Sequence, residues 1–323
     1  MIKGHGEDGD LEILEIVRPG SLTTIQDLGR IGYGQYGVPA AGAMDPWSLQ
    51  IANLLVGNPR SAAGLEMTMR GAKIRFFVST VVAITGGQGM YTLNGNKIDS
   101  WRCIAIKPGD VLDIGVVMEG CRAYLAIAGG IKVPKVLGSR STYIPASLGG
   151  LEGRALSKGD ILKGYPWQGT YIPRALSKRY VPDYSGICTL RVVAGLDAEM
   201  FPEETVRTFY STTYEVSGQS DRMGCRLEGP VLNTGLKGDR VSDAMVQGGI
   251  QVPPNGQPII LSADQTVGGY PIIAVVASVD FTLVAQLSVT QKVRFEQISL
   301  EKAQTLRLSM ENFLQSLSIA VGG

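Results

Sequence analysis

The chain has 323 residues, a formal net charge of +1, 44% hydrophobic and only 18% charged residues. That length supports two domains or one large β domain, and the near-neutral balance carries no electrostatic footprint for nucleic acid. The acidic opening MIKGHGEDGD is unlike a signal peptide and the most apolar stretches, 76–85 and 271–279, are too short to span a bilayer. The expectation is a cytoplasmic protein with no membrane and no nucleic-acid partner.

In chain order, β signals dominate. Residues 12–18 alternate as a strand, with Leu14 and Ile16 on one face. Residues 21–45, SLTTIQDLGRIGYGQYGVPAAGAMD, set Asp27, Arg30, Tyr33, Gln35 and Asp45 among five glycines. Glycine weakens helix and strand alike, so this segment reads as polar groups on a glycine-shaped path and not as a core element. Pro46–Val56 reads as a helix with Asp45 as N-cap and Pro46 at its first position. Glu66 interrupts an apolar run, and a buried carboxylate there needs a partner, for which an arginine is the simplest choice. Residues 73–85 form a strand region, Asn94-Gly95 a hairpin turn, and KPGDVL and SKGDIL each a turn entering a strand. Residues 122–128 are a further strand. Arg140 lies in a polar loop, LGSRSTYIP.

Residues 164–188, rich in proline and tyrosine, read as the connection between two β domains, at 12–165 and 185–298. Strands follow at 190–194, 214–216, 258–261, 272–279 and 292–297, with a short helix after Phe201-Pro202. An amphipathic helix at 299–317 closes the chain, with Leu306, Met310, Phe313, Leu314 and Leu317 as its stripe. Short strands, frequent glycine turns and no βαβ rhythm predict a mainly β fold of barrels or sandwiches.

Two side-chain inventories narrow the chemistry. Cys103, Cys121, Cys188 and Cys225 show no CxxC spacing, so they read as small buried hydrophobes. His5 is the sole histidine and sits in the terminus. Ser-His-Asp and Cys-His sites and histidine metal sites are therefore excluded, no metal is expected, and acid–base work falls to Asp, Glu, Tyr, Lys or the substrate. No phosphate loop and no Met-Lys-Met biotin-attachment run is present, so biotin, if used, arrives on another chain.

Two further segments repeat the character of 21–45: SGQSDRMGCRLEGP at 217–230 and GGIQVPPNGQPIILSADQTVGGYP at 248–271. Arginine reads a carboxylate with two hydrogen bonds, Asp and Gln read amide groups, and glycine lets backbone N–H groups approach an oxyanion. Together these suit a small ligand carrying a carboxylate and an amide, or a ureido group. The plainer alternative for each Asp is a turn in which it caps its own backbone.

PGSLTTIQDLGRIGYGQYGVPAAGAMD, ANLLVGNP, KPGDVL, RAYLAIAGGI, GSRSTY, GGLEGR, SDRMGCRLEGP and ADQTVGGYP occur in order across residues 12–297. This series resembles the biotin-dependent carboxyltransferase-like family, which includes the C subunit of 5-oxoprolinase, the Kip antagonist protein and the second subunit of allophanate hydrolase. The resemblance implies two tandem cyclophilin-like β-barrel domains with few helices. It implies 5-oxoprolinase subunits A and B as partners, a small amide substrate, and ATP held with or by a partner subunit. The activity implied is ATP-driven opening of 5-oxo-L-proline to L-glutamate. Carboxyl transfer from carboxybiotin to a urea-like acceptor, or sequestration of a Kip-type subunit without catalysis, are the alternatives. SVTQ at 288–291 replaces the PGD turn expected before KVRF, which alters a surface hairpin.

On this reading Arg222 takes the substrate carboxylate and Asp221 the ring N–H. Asp264 and Tyr270 serve as acid–base or orienting groups, and Gln265 reads the amide. Asp27, Arg30 and Asp45 line the same pocket or brace its loops.

Overall fold

The computed structural model describes residues 11–235, 243–265 and 267–321; His5, the acidic opening and Thr266 lie outside them. The chain divides into two compact units. One holds the described residues up to Gly29 with Asp45–Asp183 and those from Leu314 onward, and the other holds Arg30–Met44 and Tyr184–Phe313.

The first unit is a nine-stranded sheet. Along its main path run Leu22–Gln26, Gly64–Thr68, Val111–Ile127, Lys73–Phe76, Leu11–Arg18 and Ile161–Gly164. The long strand Thr80–Leu93 branches off, pairing with Val111–Ile127, Asn96–Lys97 and Arg102–Ile106. The expected strands at 122–128 and after KPGD are one continuous strand, Val111–Ile127. Asn94 and Gly95 both take positive φ, as a two-residue hairpin turn requires. Leu14, Ile16, Leu65, Ile74, Phe76, Ile84 and Leu125 are among the core residues enclosed by the sheet.

The start of the glycine-rich segment is not a loop. Leu22–Gln26 is a buried strand paired with Gly64–Thr68. Thr-Thr-Ile suits a strand because β-branched side chains pack well on a pleat. The Thr23 hydroxyl donates to the Pro19 carbonyl, and Gln26 Nε2 donates to Thr24 Oγ1 at 3.0 Å and to the distant Thr142 carbonyl at 3.1 Å.

The second unit is a closed barrel of seven strands: Cys188–Ala194, Ile272–Val276, Gly249–Gln251, Ile259–Leu261, Gly224–Glu228, Tyr214–Val216 and Lys292–Gln297. The last strand runs parallel to the first and closes the ring. Its interior packs Leu190, Val192, Leu227, Ile250, Ile260, Ala274 and Val293, with Phe209 stacked on Phe295 at 4.4 Å. The mainly β architecture is thus realised as one closed barrel and one curled sheet. Among the described residues the α-helices are Pro46–Val56, Glu203–Ser211, Phe281–Gln286 and Leu300–Ala320. The sequence pattern gave no sign of Phe281–Gln286, a six-residue helix too short to show a period. In SVTQ, Thr290 takes φ 68°, the left-handed conformation that the missing glycine would adopt without strain.

Candidate substrate site

The barrel of the second unit carries a cavity of about 490 Å³, within the range of small-molecule sites. Strand alternation builds it. Gly224 pairs with Leu261 and Arg226 with Ile259, and all four line the cavity. Cys225 and Ile260, paired between them, point into the barrel core. A glycine is needed at 224, because a Cβ there would lie 2.7 Å from Ile259 Cγ2.

Three primary amides border the cavity, those of Gln251, Asn255 and Gln265. Gln251 is 5% exposed; its Nε2 donates to Met245 Sδ at 2.8 Å and to the Tyr270 carbonyl at 3.4 Å. Gln265 Nε2 donates to the Met245 carbonyl at 3.0 Å, while its buried Oε1 has no hydrogen-bond partner among the described residues. Gly268 leaves room for this arrangement: a Cβ would stand 2.8 Å from Gln251 Nε2 and 3.1 Å from Met245 Sδ. Met223, Met245, Pro253, Pro254 and Val267 supply apolar wall, and Tyr270 stands at the rim, 47% exposed. A cavity of this kind holds a compact molecule by shape and reads its amide through neutral donors and acceptors.

The structure gives the other expected residues of this unit definite places. Arg222 and Asp264 are both buried and face each other, with Nε to Oδ2 at 2.9 Å and Nη2 to Oδ1 at 3.0 Å; Nη2 also donates to the Gly42 carbonyl at 2.6 Å. The guanidinium fork expected to read a substrate carboxylate is thus engaged by a carboxylate of the chain itself. Together with the Ala41 N–H to Ala263 carbonyl bond of 3.0 Å, this pair fastens residues 41–42 to the loop that ends in Gln265. Asp221 is exposed, and its Oδ1 accepts the Met223 and Gly224 N–H groups at 2.8 and 3.0 Å, the turn alternative. Arg30 is buried, and its N–H donates to the Ala40 carbonyl at 2.7 Å, closing that loop.

Asp27 and Asp45 belong to the first unit and are engaged within it. The Asp27 carboxylate accepts from Ser139 Oγ, Ser141 Oγ and the Arg140 N–H, each at 2.6 Å, and from the Gly29 N–H at 2.9 Å. Burial alone would raise its pKa, but these four donors outweigh burial and hold it below the usual aspartate value. Asp45 caps helix Pro46–Val56, accepting from Ser48 N–H at 3.0 Å and Ser48 Oγ at 2.6 Å. Its own N–H donates to Tyr124 Oη at 2.9 Å, and that hydroxyl donates to Glu66 Oε2 at 2.8 Å. Glu66 therefore accepts a hydrogen bond from a buried tyrosine. Burial, with the Glu66 and Asp45 charges, pushes the Tyr124 phenol well above its ordinary pKa, with Arg122 opposing.

The sequence reading placed Gln265 and Tyr270 at the site, and the structure puts both on one cavity. It missed Gln251 and Arg226. Arg226 was legible from strand parity, since Cys225 and Leu227 are the inward residues of GCRLE. Among the described residues no group of three or more His, Cys, Asp or Glu is placed to hold a metal.

The carboxyltransferase domain, subdomain A and B, matches residues 36–297. The chain belongs to this carboxyltransferase family. Relatives of the carboxyltransferase chain fall into two kinds. The C subunit of 5-oxoprolinase from Escherichia coli is 38% identical over 95% of this chain and 98% of its own length. The urea amidolyase of Saccharomyces cerevisiae is 33% identical over 94% of this chain, which spans only 18% of that longer protein. The solved urea amidolyase of Kluyveromyces lactis superposes with a TM-score of 0.88 at 33% identity, over 96% of this chain and 20% of that one. None of the described helices is long and apolar enough to cross a membrane.

Proposed function

We propose that this carboxyltransferase-family chain is the C subunit of an ATP-dependent 5-oxoprolinase, opening 5-oxo-L-proline to L-glutamate in the cytoplasm together with subunits A and B. The observation that carries the reading is the 98% coverage of the Escherichia coli 5-oxoprolinase chain, against 18% for a urea amidolyase. ATP is held with or by a partner subunit, and no biotin is attached to this chain.

The amide-bordered cavity of the second unit's barrel is the substrate site in this reading. Gln265 Oε1, fixed by the Met245 bond and left without a partner among the described residues, accepts the ring N–H. The Tyr270 phenol at the rim orients the lactam carbonyl for attack by water, and the methionine and proline walls give the ring apolar contact. Arg222 and Asp264 act as positioning residues that fix the loop bearing Gln265, and Asp221 holds the preceding turn.

Co-purification with subunits A and B followed by a glutamate assay tests the assignment. Glutamate release is expected to require 5-oxo-L-proline, ATP and all three chains. A folded three-chain assembly that releases none contradicts it. The second reading, carboxyl transfer to a urea-like acceptor, draws on the superposition with the Kluyveromyces lactis enzyme, and urea carboxylation with a carboxybiotin carrier would then be the activity found.

A further inference from the structure

We infer that Arg226 reads a carboxylate on the ligand of this cavity, so that the site selects a monoanionic cyclic amide over a neutral one such as urea. The inference rests on the reading of the cavity as the amide-substrate site. Among the described lining residues, Arg226 is the only charged one. The amides, the phenol, the methionines and the prolines are all neutral, so no described residue that borders the cavity neutralises the guanidinium. No ion pair joins Arg226 to any described residue; its bonds are backbone ones, the N–H donating to Ser220 Oγ at 3.0 Å and the carbonyl accepting from Ser220 Oγ at 3.3 Å.

This contrasts with Arg222 four residues earlier, whose fork is filled by Asp264. The two arginines of SDRMGCR thus divide the work by strand parity and loop position. Arg222 locks the architecture, and Arg226, on the outer face of strand Gly224–Glu228, presents five N–H donors to whatever enters. A planar fork beside an apolar wall and side-chain amides matches a small molecule with a carboxylate next to an amide. A neutral ligand would leave that charge unused and gain nothing from it.

Binding to the purified full-length chain, measured by titration calorimetry with 5-oxo-L-proline, pyrrolidin-2-one and urea, tests this. Pyrrolidin-2-one is the same lactam without the carboxylate. Because Arg226 is exposed and partly screened, 5-oxo-L-proline is expected to bind roughly ten-fold more tightly than pyrrolidin-2-one. That preference should shrink with added salt and vanish in Arg226→Gln, which should still bind pyrrolidin-2-one as the native chain does. Arg226→Lys, which keeps the charge but loses the fork, is expected to retain part of it. Equal binding of the two lactams by the native chain, or an Arg226→Gln variant that keeps the full preference, overturns the role of Arg226 while leaving the cavity as the lactam site. If neither lactam binds while the three-chain assembly releases glutamate, the cavity is not the substrate site and the inference falls with that placement, but the 5-oxoprolinase assignment stands.

Discussion

Asp264→Asn is expected to destabilise the second unit by roughly 3–5 kcal/mol, because it removes the charge of the carboxylate that faces the buried Arg222 guanidinium. Both partners are buried, and the Arg222 Nε and Nη2 both donate to the Asp264 carboxylate. Trp47, Trp101 and Trp167 all belong to the first unit, so tryptophan fluorescence is blind to this loss. Hydrogen exchange in strands Cys188–Ala194 and Ile272–Val276 reads it. The double variant Arg222→Met/Asp264→Leu removes both charges and should recover much of the protection. Unchanged exchange in Asp264→Asn would show that the pair contributes little. If the pair holds the Gln265 loop as proposed, Asp264→Asn also weakens lactam binding, and the double variant restores part of it.

Asp27→Ala should cost the first unit about 3 kcal/mol or more, since it orphans two hydroxyls and two backbone N–H groups in a buried loop. The effect depends on pH in a definite direction. The folded-state pKa of Asp27 lies below the usual value, so its contribution is fully present above the unfolded pKa of about 4 and is lost as pH falls through the folded value. Urea unfolding followed by tryptophan fluorescence should show a large gap between native and Asp27→Ala chains at pH 7, and a smaller one at pH 3. A gap that does not narrow with acid would mean that the carboxylate charge is not what the loop depends on. Activity effects of this variant should follow its stability, because the Asp27 carboxylate is taken up by donors of its own unit.

Legibility in the sequence followed the range of the interactions concerned. Helix Pro46–Val56 could be read because its start and stop are local: Asp45 caps it, Pro46 opens it, and Gly57 ends it at φ 79°. Strands Tyr214–Val216 and Lys292–Gln297 could be read from alternation alone. The roles of the polar residues could not. Asp27 meets Ser139 and Ser141 across 112 and 114 residues, and Arg222 meets Asp264 across 42. An aspartate amid glycines looks the same in sequence whether it grips a ligand or a distant serine, and only the folded partner decides between them. Gln265 differs from them in that its buried Oε1 meets no hydrogen-bond partner among the described residues. Leu22–Gln26 was misread for the opposite reason: its threonines satisfy their hydroxyls locally and behave as strand residues despite polar neighbours.

The most direct measurement is a crystal structure of the full-length chain soaked with 5-oxo-L-proline. The expected result is the lactam in the cavity of the second unit's barrel, with its ring N–H within about 3.2 Å of Gln265 Oε1 and its carboxylate on the Arg226 guanidinium. The lactam bound elsewhere, with that cavity holding only water, would contradict the assignment of the site.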